Sequence, residues 1–164
     1  MSESPPPEYV RFDDDAGLQA SIDRLLGQPG RELRIFDPDL SSLRPNVPGR
    51  VEQLLRFLQA SRTRRIYVAV HDTGYLTRHA PRLLQLYARY THAMTIHRTH
   101  DSIRELKDSF MVLDSAHYVR RSVARYYRGA LGLNDDVEGY AMRTRFMEIW
   151  AASFPPSLLT TLGI

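Results

Sequence analysis

Charged and hydroxylated side chains gather between Lys107 and Ser122, in the run Lys107-Asp-Ser-Phe-Met-Val-Leu-Asp114-Ser-Ala-His-Tyr-Val-Arg120-Arg121-Ser122. Cations with hydroxyl donors beside them are suited to phosphate, because an arginine fork holds two anionic oxygens at once. Lys107, Arg120 and Arg121, with Ser109, Ser122 and His97, are therefore the candidate anion- or ligand-binding residues. The plainer alternative is a solvated basic edge, its charges met by Asp101, Glu105 or Asp108 nearby in sequence. Asp114 precedes Ser-Ala, a setting in which an aspartate closes a hairpin turn through side-chain to backbone bonds. The next segment, Arg120 to Arg128, interleaves arginines with Tyr126 and Tyr127, a composition that joins backbone charge to base stacking. Read as a helix, it places Arg121, Arg125 and Arg128 on one face.

Histidines and aspartates also stand where strands are expected to end: Asp37 and Asp39, His71 and Asp72, His97 and His100. Imidazole with carboxylate suits Zn, Mn or Fe, but no paired-histidine spacing enforces such a site, and local capping explains these residues equally. No metal and no cofactor is expected. There is no G-x-S-x-G elbow, no Walker A loop and no G-x-G-x-x-G after a strand, so serine hydrolase and phosphate-loop chemistry find no support. Cysteine is absent, which removes disulfides and thiolate chemistry.

The elements that must position these residues alternate along the chain. Asp13-Asp14-Asp15 opens a helix with Leu18, Ile22, Leu25 and Leu26 on its apolar face, stopped at Gly27-Gln-Pro-Gly30. Strands are expected at 33–36, 65–70 and 94–97, with helices at about 48–61 and 80–93 between them. Val51, Leu54, Leu55 and Leu58 supply the helical spacing in the first of these helices. This predicts an α/β fold with a mixed, mostly parallel sheet flanked by helices. Residues 109–113 and 117–121 then read as a β-hairpin. A helix at about 122–130 and a last one at about 137–153, ended by Phe154-Pro-Pro156, complete the chain.

The 164 residues suit one domain, 13–164, behind a Pro-rich acidic leader, 1–12, expected to be disordered or extended. Residues 1–15 carry a balance of −4, so with the whole chain at +3 the body carries +7. Lys107 is the one lysine in the chain. No apolar run approaches the ~18 residues of a membrane span, and no secretory leader is evident. With no cysteine, these features are taken to mean a cytoplasmic protein.

Laid residue by residue, the hairpin run resembles the phospholipase D superfamily signature, His-x-Lys followed by Asp and then Gly-Ser. On that resemblance Lys107 stands where the nucleophilic histidine belongs and Ser109 where the phosphate-binding lysine belongs. Asp114 keeps its place as a structural remnant, Arg121 replaces the glycine, Ser122 is retained and Ala124 replaces an asparagine. A phosphohistidine mechanism needs an imidazole nucleophile, so the resemblance implies the fold of a phospholipase D-like sandwich half without its catalysis. The chain is also similar to an uncharacterised bacterial family of such degenerate domains, some attached to N-acetyltransferases. The resemblance implies a pseudoenzyme that binds a phosphate-bearing ligand, nucleic acid or protein partner, paired as a homodimer. The alternatives are a phosphodiesterase with rearranged catalysts, using His97 or His100, and a regulatory module of an acetyltransferase partner.

Overall fold

Among the described residues, eight strands form one mixed sheet in the order β1-β7-β6-β5-β2-β3-β4-β8. The computed structural model describes residues 5–156 and residue 158. The strands are β1 (Glu8–Phe12), β2 (Glu32–Asp37), β3 (Arg65–Val70), β4 (Met94–Thr99), β5 (Ser109–Leu113), β6 (His117–Arg121), β7 (Gly129–Leu133) and β8 (Ser153–Phe154). The helices are α1 (Asp15–Leu26), α2 (Pro48–Gln59), α3 (Gly74–His79), α4 (Pro81–Arg89) and α5 (Asp136–Ala151). β2, β3 and β4 run parallel, and the remaining neighbours pair antiparallel.

Helices cover both faces. Asp14 caps α1 by accepting from the Gly17 N–H at 2.7 Å, and Leu18, Ile22 and Leu25 are buried beneath it. They join Leu54 and Phe57 of α2 and Leu83 and Leu84 of α4 on one face of the sheet. The other face is served by α5, which buries Met142, Phe146 and Ile149 against Phe36, Phe110, Val112 and Tyr118. Its approach depends on Gly139, where a Cβ would stand 2.3 Å from the Ser115 carbonyl oxygen.

Three expectations are corrected. Residues 8–12, read as part of a disordered or extended leader outside the domain, are a strand of its sheet and pair with β7 from Glu8 opposite Leu133 to Phe12 opposite Gly129. The low apolar content of the leader hid a single anchor, Phe12, buried against the α1 face; residues 1–4 lie outside the described residues. The helix expected at 122–130 does not form. Residues 122–128 are a loop and Gly129–Leu133 is a strand, because β6 needs a further neighbour and finds it in Ala130 and Leu131. The helix expected at 80–93 is shorter, α4 alone, and a separate helix, α3, precedes it over Gly74–His79. Pro81 disfavours helical backbone at the residue before it, and Ala80 sits at φ −126°, ψ 51°.

Candidate functional site

The hairpin β5–β6 places Ser109 directly opposite Arg121. Both lie at the C-terminal end of β2, where Asp37 points at them. Ser109 Oγ donates to Asp37 Oδ1 at 2.6 Å, and Arg121 Nη2 donates to the same oxygen at 3.1 Å. Arg121 Nη2 also reaches Ser42 Oγ at 2.6 Å and Ser109 Oγ at 3.2 Å. Its Nη1 donates to the carbonyls of Ala124 at 2.5 Å and Tyr126 at 3.3 Å, which curls the 122–128 loop around the guanidinium. Asp37 Oδ2 in turn accepts from the backbone N–H groups of Leu40 and Asp39, at 2.7 and 3.1 Å. The side chains of Arg121 and Asp37 are 4% and 6% exposed. Burial lowers the Arg121 pKa, opposed by the negative charge of Asp37. A charge this deep persists only when paired and hydrogen-bonded.

Arg121 therefore faces inward, and the surface is left to its neighbours. A groove of 490 Å³ is bounded by Lys107, Ser109, Arg120, Ser122, Glu138 and Arg145, among others. Lys107 is exposed at its rim. Arg120 pairs with Glu138 at 3.0 Å, and Arg145 grips both carboxylate oxygens of Asp108. The groove continues past Arg120 and Ser122 into a second depression of 680 Å³ lined by Tyr9, Arg11 and Arg128. It opens there because β7 contributes only Gly129 and Ala130 to that wall. Arg120 Nη2 meets Tyr9 Oη at 3.4 Å. That bond raises the pKa of Arg120 and lowers that of Tyr9. On the other side of Lys107 lies a third hollow, of 530 Å³, with Tyr126, Arg125, Val123 and Leu106 in its walls. Tyr126 is 42% exposed and Tyr127 49%, and Arg125 and Arg128 both lie over the Tyr126 ring, at 5.0 and 5.3 Å.

Lys107, Ser109, Arg120, Arg121 and Ser122 are thus brought to one place, but of these only Lys107, Arg120 and Ser122 offer themselves outward. His97 is elsewhere: its ring stacks on Trp150 at 3.7 Å, Nδ1 meets Ser153 Oγ at 3.1 Å, and burial lowers its pKa. Asp114, at φ 54°, accepts from the N–H groups of Arg31 and Glu32 at 3.0 and 2.9 Å and so fastens the hairpin turn to the start of β2.

The strand-end histidine of β3 is also committed. His71 Nδ1 lies 2.5 Å from Thr99 Oγ1 and its Nε2 2.8 Å from the Leu106 carbonyl. Among the described residues no group of three His, Asp or Glu side chains converges as metal ligands do. Asp37 is visible in the sequence as a strand-end acid, but its partnership with Arg121 spans 84 positions and carries no local signal. Tyr9 reaches Arg120 across 111 positions and Glu138 across 18, and nothing near them in sequence marks them.

Comparison with known proteins gives this geometry a family. No curated protein matches the sequence. Solved structures do match in fold. The archaeal chromatin protein TrmBL2, described as showing a novel mode of DNA binding, has a TM-score of 0.66 at 10% identity, over 90% of this chain and 54% of that one. This chain thus spans about half the length of that protein. Nuc from Salmonella typhimurium, a phospholipase D family member, has a TM-score of 0.60 at 7% identity, over 92% and 99% of the two chains. NucT from Helicobacter pylori has 0.58 at 10%, over 92% and 100%. At such identities the likeness is one of fold, and the fold is phospholipase D-like. The model of the domain of unknown function DUF7931 matches residues 14–162, and the chain belongs to that family.

Proposed function

We propose that this chain is a phosphate-binding module that performs no phosphodiester chemistry, and that its ligand is a single strand of nucleic acid lying in the groove past Lys107 and Arg120. The observation that carries the reading is the closed Arg121–Asp37–Ser109 network. At the two positions where the resembled family keeps a phosphate-clamping lysine and a glycine, this chain has a hydroxyl and a guanidinium that satisfy each other and a buried carboxylate. Neither is turned to a substrate. Among the described residues no histidine lines the groove or its continuation, and His71, in the wall of the third hollow, has both ring nitrogens engaged by Thr99 and the Leu106 carbonyl, so a phosphohistidine has no free nucleophile there. A rearranged phosphodiesterase built on His97 is disfavoured by its stacking on Trp150.

The groups left facing outward fit backbone phosphates and unpaired bases. Lys107, Arg120 and Arg128 line the hollows, Tyr9 and Tyr126 stand in their walls, and Tyr127 is exposed on the same loop as Tyr126. Exposed aromatic rings are stacking platforms for bases free of a duplex, worth about 1–3 kcal/mol each. The described DNA binding of the archaeal neighbour supports the ligand class.

The test is a titration of a labelled single-stranded oligonucleotide. With about three phosphates engaged, the affinity falls about 20-fold between about 50 and 200 mM salt. Lys107→Ala/Arg120→Ala weakens binding and flattens the salt dependence. Binding that is indifferent to both changes refutes the groove as the site.

A further inference from the structure

The positive charge of this protein is not where its groove is. Residues 101–164 hold eight basic and eight acidic side chains, and residues 16–52 hold five of each. The excess lies in residues 53–100, with eight arginines against one acid, Asp72, a balance of +7. From Thr73 to His100 there is no acidic residue at all. A preference for arginine over lysine does not explain the missing carboxylates.

The fold concentrates part of this charge at the N-terminal ends of the parallel strands, the end of the sheet opposite Asp37 and the groove. The turn carrying Arg62, Arg64 and Arg65 leads into β3, and the turn carrying Arg89 and His92 leads into β4. The two turns are joined where the Ile66 N–H donates to the Ala93 carbonyl at 2.9 Å, with Gln59 Nε2 3.5 Å from Tyr90 Oη. Arg31 adjoins them, its carbonyl accepting from the Arg65 N–H at 2.8 Å.

These guanidinium groups find little counter-charge. Arg65 donates to the carbonyls of Arg62 and Arg64, Arg64 lies over the Phe57 ring at 4.6 Å, and Arg89 lies 5.8 Å from the Tyr90 ring. Arg56–Glu52 is the sole ion pair made by residues 53–100 among those described. Other acids nearby are already engaged, Asp114 with backbone N–H groups, Glu32 with Arg34, and Asp23, which shares a hollow with Arg64, with Arg50. Arg62 and Arg89 are both exposed.

We propose that this end of the sheet is a second nucleic-acid surface, one that holds the phosphate backbone of double-stranded DNA without reading its sequence. Uncompensated arginines on adjoining rigid turns present a fixed array of positive charge, the requirement for replacing condensed counterions. None of the large exposed hydrophobic side chains falls within residues 53–100, so the surface has neither stacking platforms for unpaired bases nor a wedge for a lipid bilayer. That lack favours a partner whose bases are already paired. The surface is independent of the groove, since the two lie at opposite ends of the strands.

The experiment uses the full chain and a labelled short DNA duplex at stepped salt. With about four phosphates engaged, log affinity falls against log salt with a slope of about −3.6, so binding weakens about 150-fold between about 50 and 200 mM. Arg62→Ala/Arg89→Ala lowers duplex affinity and cuts the slope by about 2, while Lys107→Ala/Arg120→Ala leaves duplex binding intact. The thermal midpoint of each variant, unchanged from wild type, separates loss of contact from loss of fold. Duplex binding whose slope survives Arg62→Ala/Arg89→Ala overturns the proposal. So does sedimentation with phosphatidylglycerol vesicles in the absence of duplex binding, which makes the surface a membrane contact. Single-strand binding that fails in the groove variant alone, with duplex binding retained, supports two separate surfaces.

Discussion

Replacing Arg121 or Asp37 separates a structural ion pair from a ligand site. Arg121→Met keeps most of the volume and removes the charge. It deletes five donor contacts but leaves Asp37 with Ser109 and the N–H groups of Asp39 and Leu40. Asp37→Asn keeps the shape and leaves a guanidinium that is 4% exposed without its counter-charge. Breaking a buried pair by removing one partner costs about 3–5 kcal/mol. The residual bonds of Asp37 put Arg121→Met near the low end, about 3, and Asp37→Asn near the high end, about 4–5. For a chain of this length each kcal/mol moves the thermal midpoint by about 2–4 °C, so the losses are roughly 6–12 °C and 8–20 °C. The assay is thermal or urea unfolding followed by circular dichroism, with the double variant closing a mutant cycle. The double variant is expected to cost less than the sum of the singles by at least about 1.5 kcal/mol. An Arg121→Met protein that melts like wild type but loses oligonucleotide affinity refutes the reasoning and returns Arg121 to the ligand.

Gly139→Ala tests the seating of α5: in an exposed helix this change gains about 1 kcal/mol, but here the new Cβ meets the Ser115 carbonyl at 2.3 Å. The expected result is a loss of about 1–3 kcal/mol in urea unfolding, and a gain means the helix stands off the hairpin. His117 tests pH dependence. Its Nδ1 accepts from the Asn134 N–H at 3.1 Å, which requires the neutral ring. Burial lowers its pKa below 6.5, against the attraction of Asp114 and Asp136. With the folded value below the unfolded one, the stability due to His117 is present above about pH 6.5 and falls as the pH drops below it. Thermal midpoints measured between about pH 7 and pH 5 decline for the wild type and decline less for His117→Gln; equal slopes would assign the decline to other groups, His97 among them.

The parts of the fold that were legible in the sequence are those whose signal is local. β3, β5 and β6 fall at the residues their alternation and turn chemistry indicate, because Asp114 closes the hairpin with bonds that its type and position announce. The strand β1 was illegible because it is a short edge strand that buries only Phe12 and is held by backbone pairing with β7. The helix expected over Ser122 to Ala130 was a fair reading of spacing, and tertiary context overrode it. That stretch is spent on wrapping Arg121 and on supplying β7.

The same wrapping changes how the motif itself is understood. Taken along the chain, Ser109 and Arg121 are two separate departures from the resembled signature, a lysine lost and a glycine filled. Across the hairpin they are one pair in register, and Asp37 at the end of β2 is their common partner. A glycine at position 121 would leave Asp37 facing a void, and a lysine at 109 would compete with Arg121 for the same carboxylate oxygen. The substitutions therefore make sense only together, as a buried cation supplied from β6 where the signature supplies one from β5. Restoring Ser109→Lys alone would place two cations on one carboxylate, where the existing pair is already 4% and 6% exposed, a like-charge conflict that costs stability. The cation at this end of β2 is held from within and its place is closed, so any phosphate must be met further out, by Lys107 and Arg120.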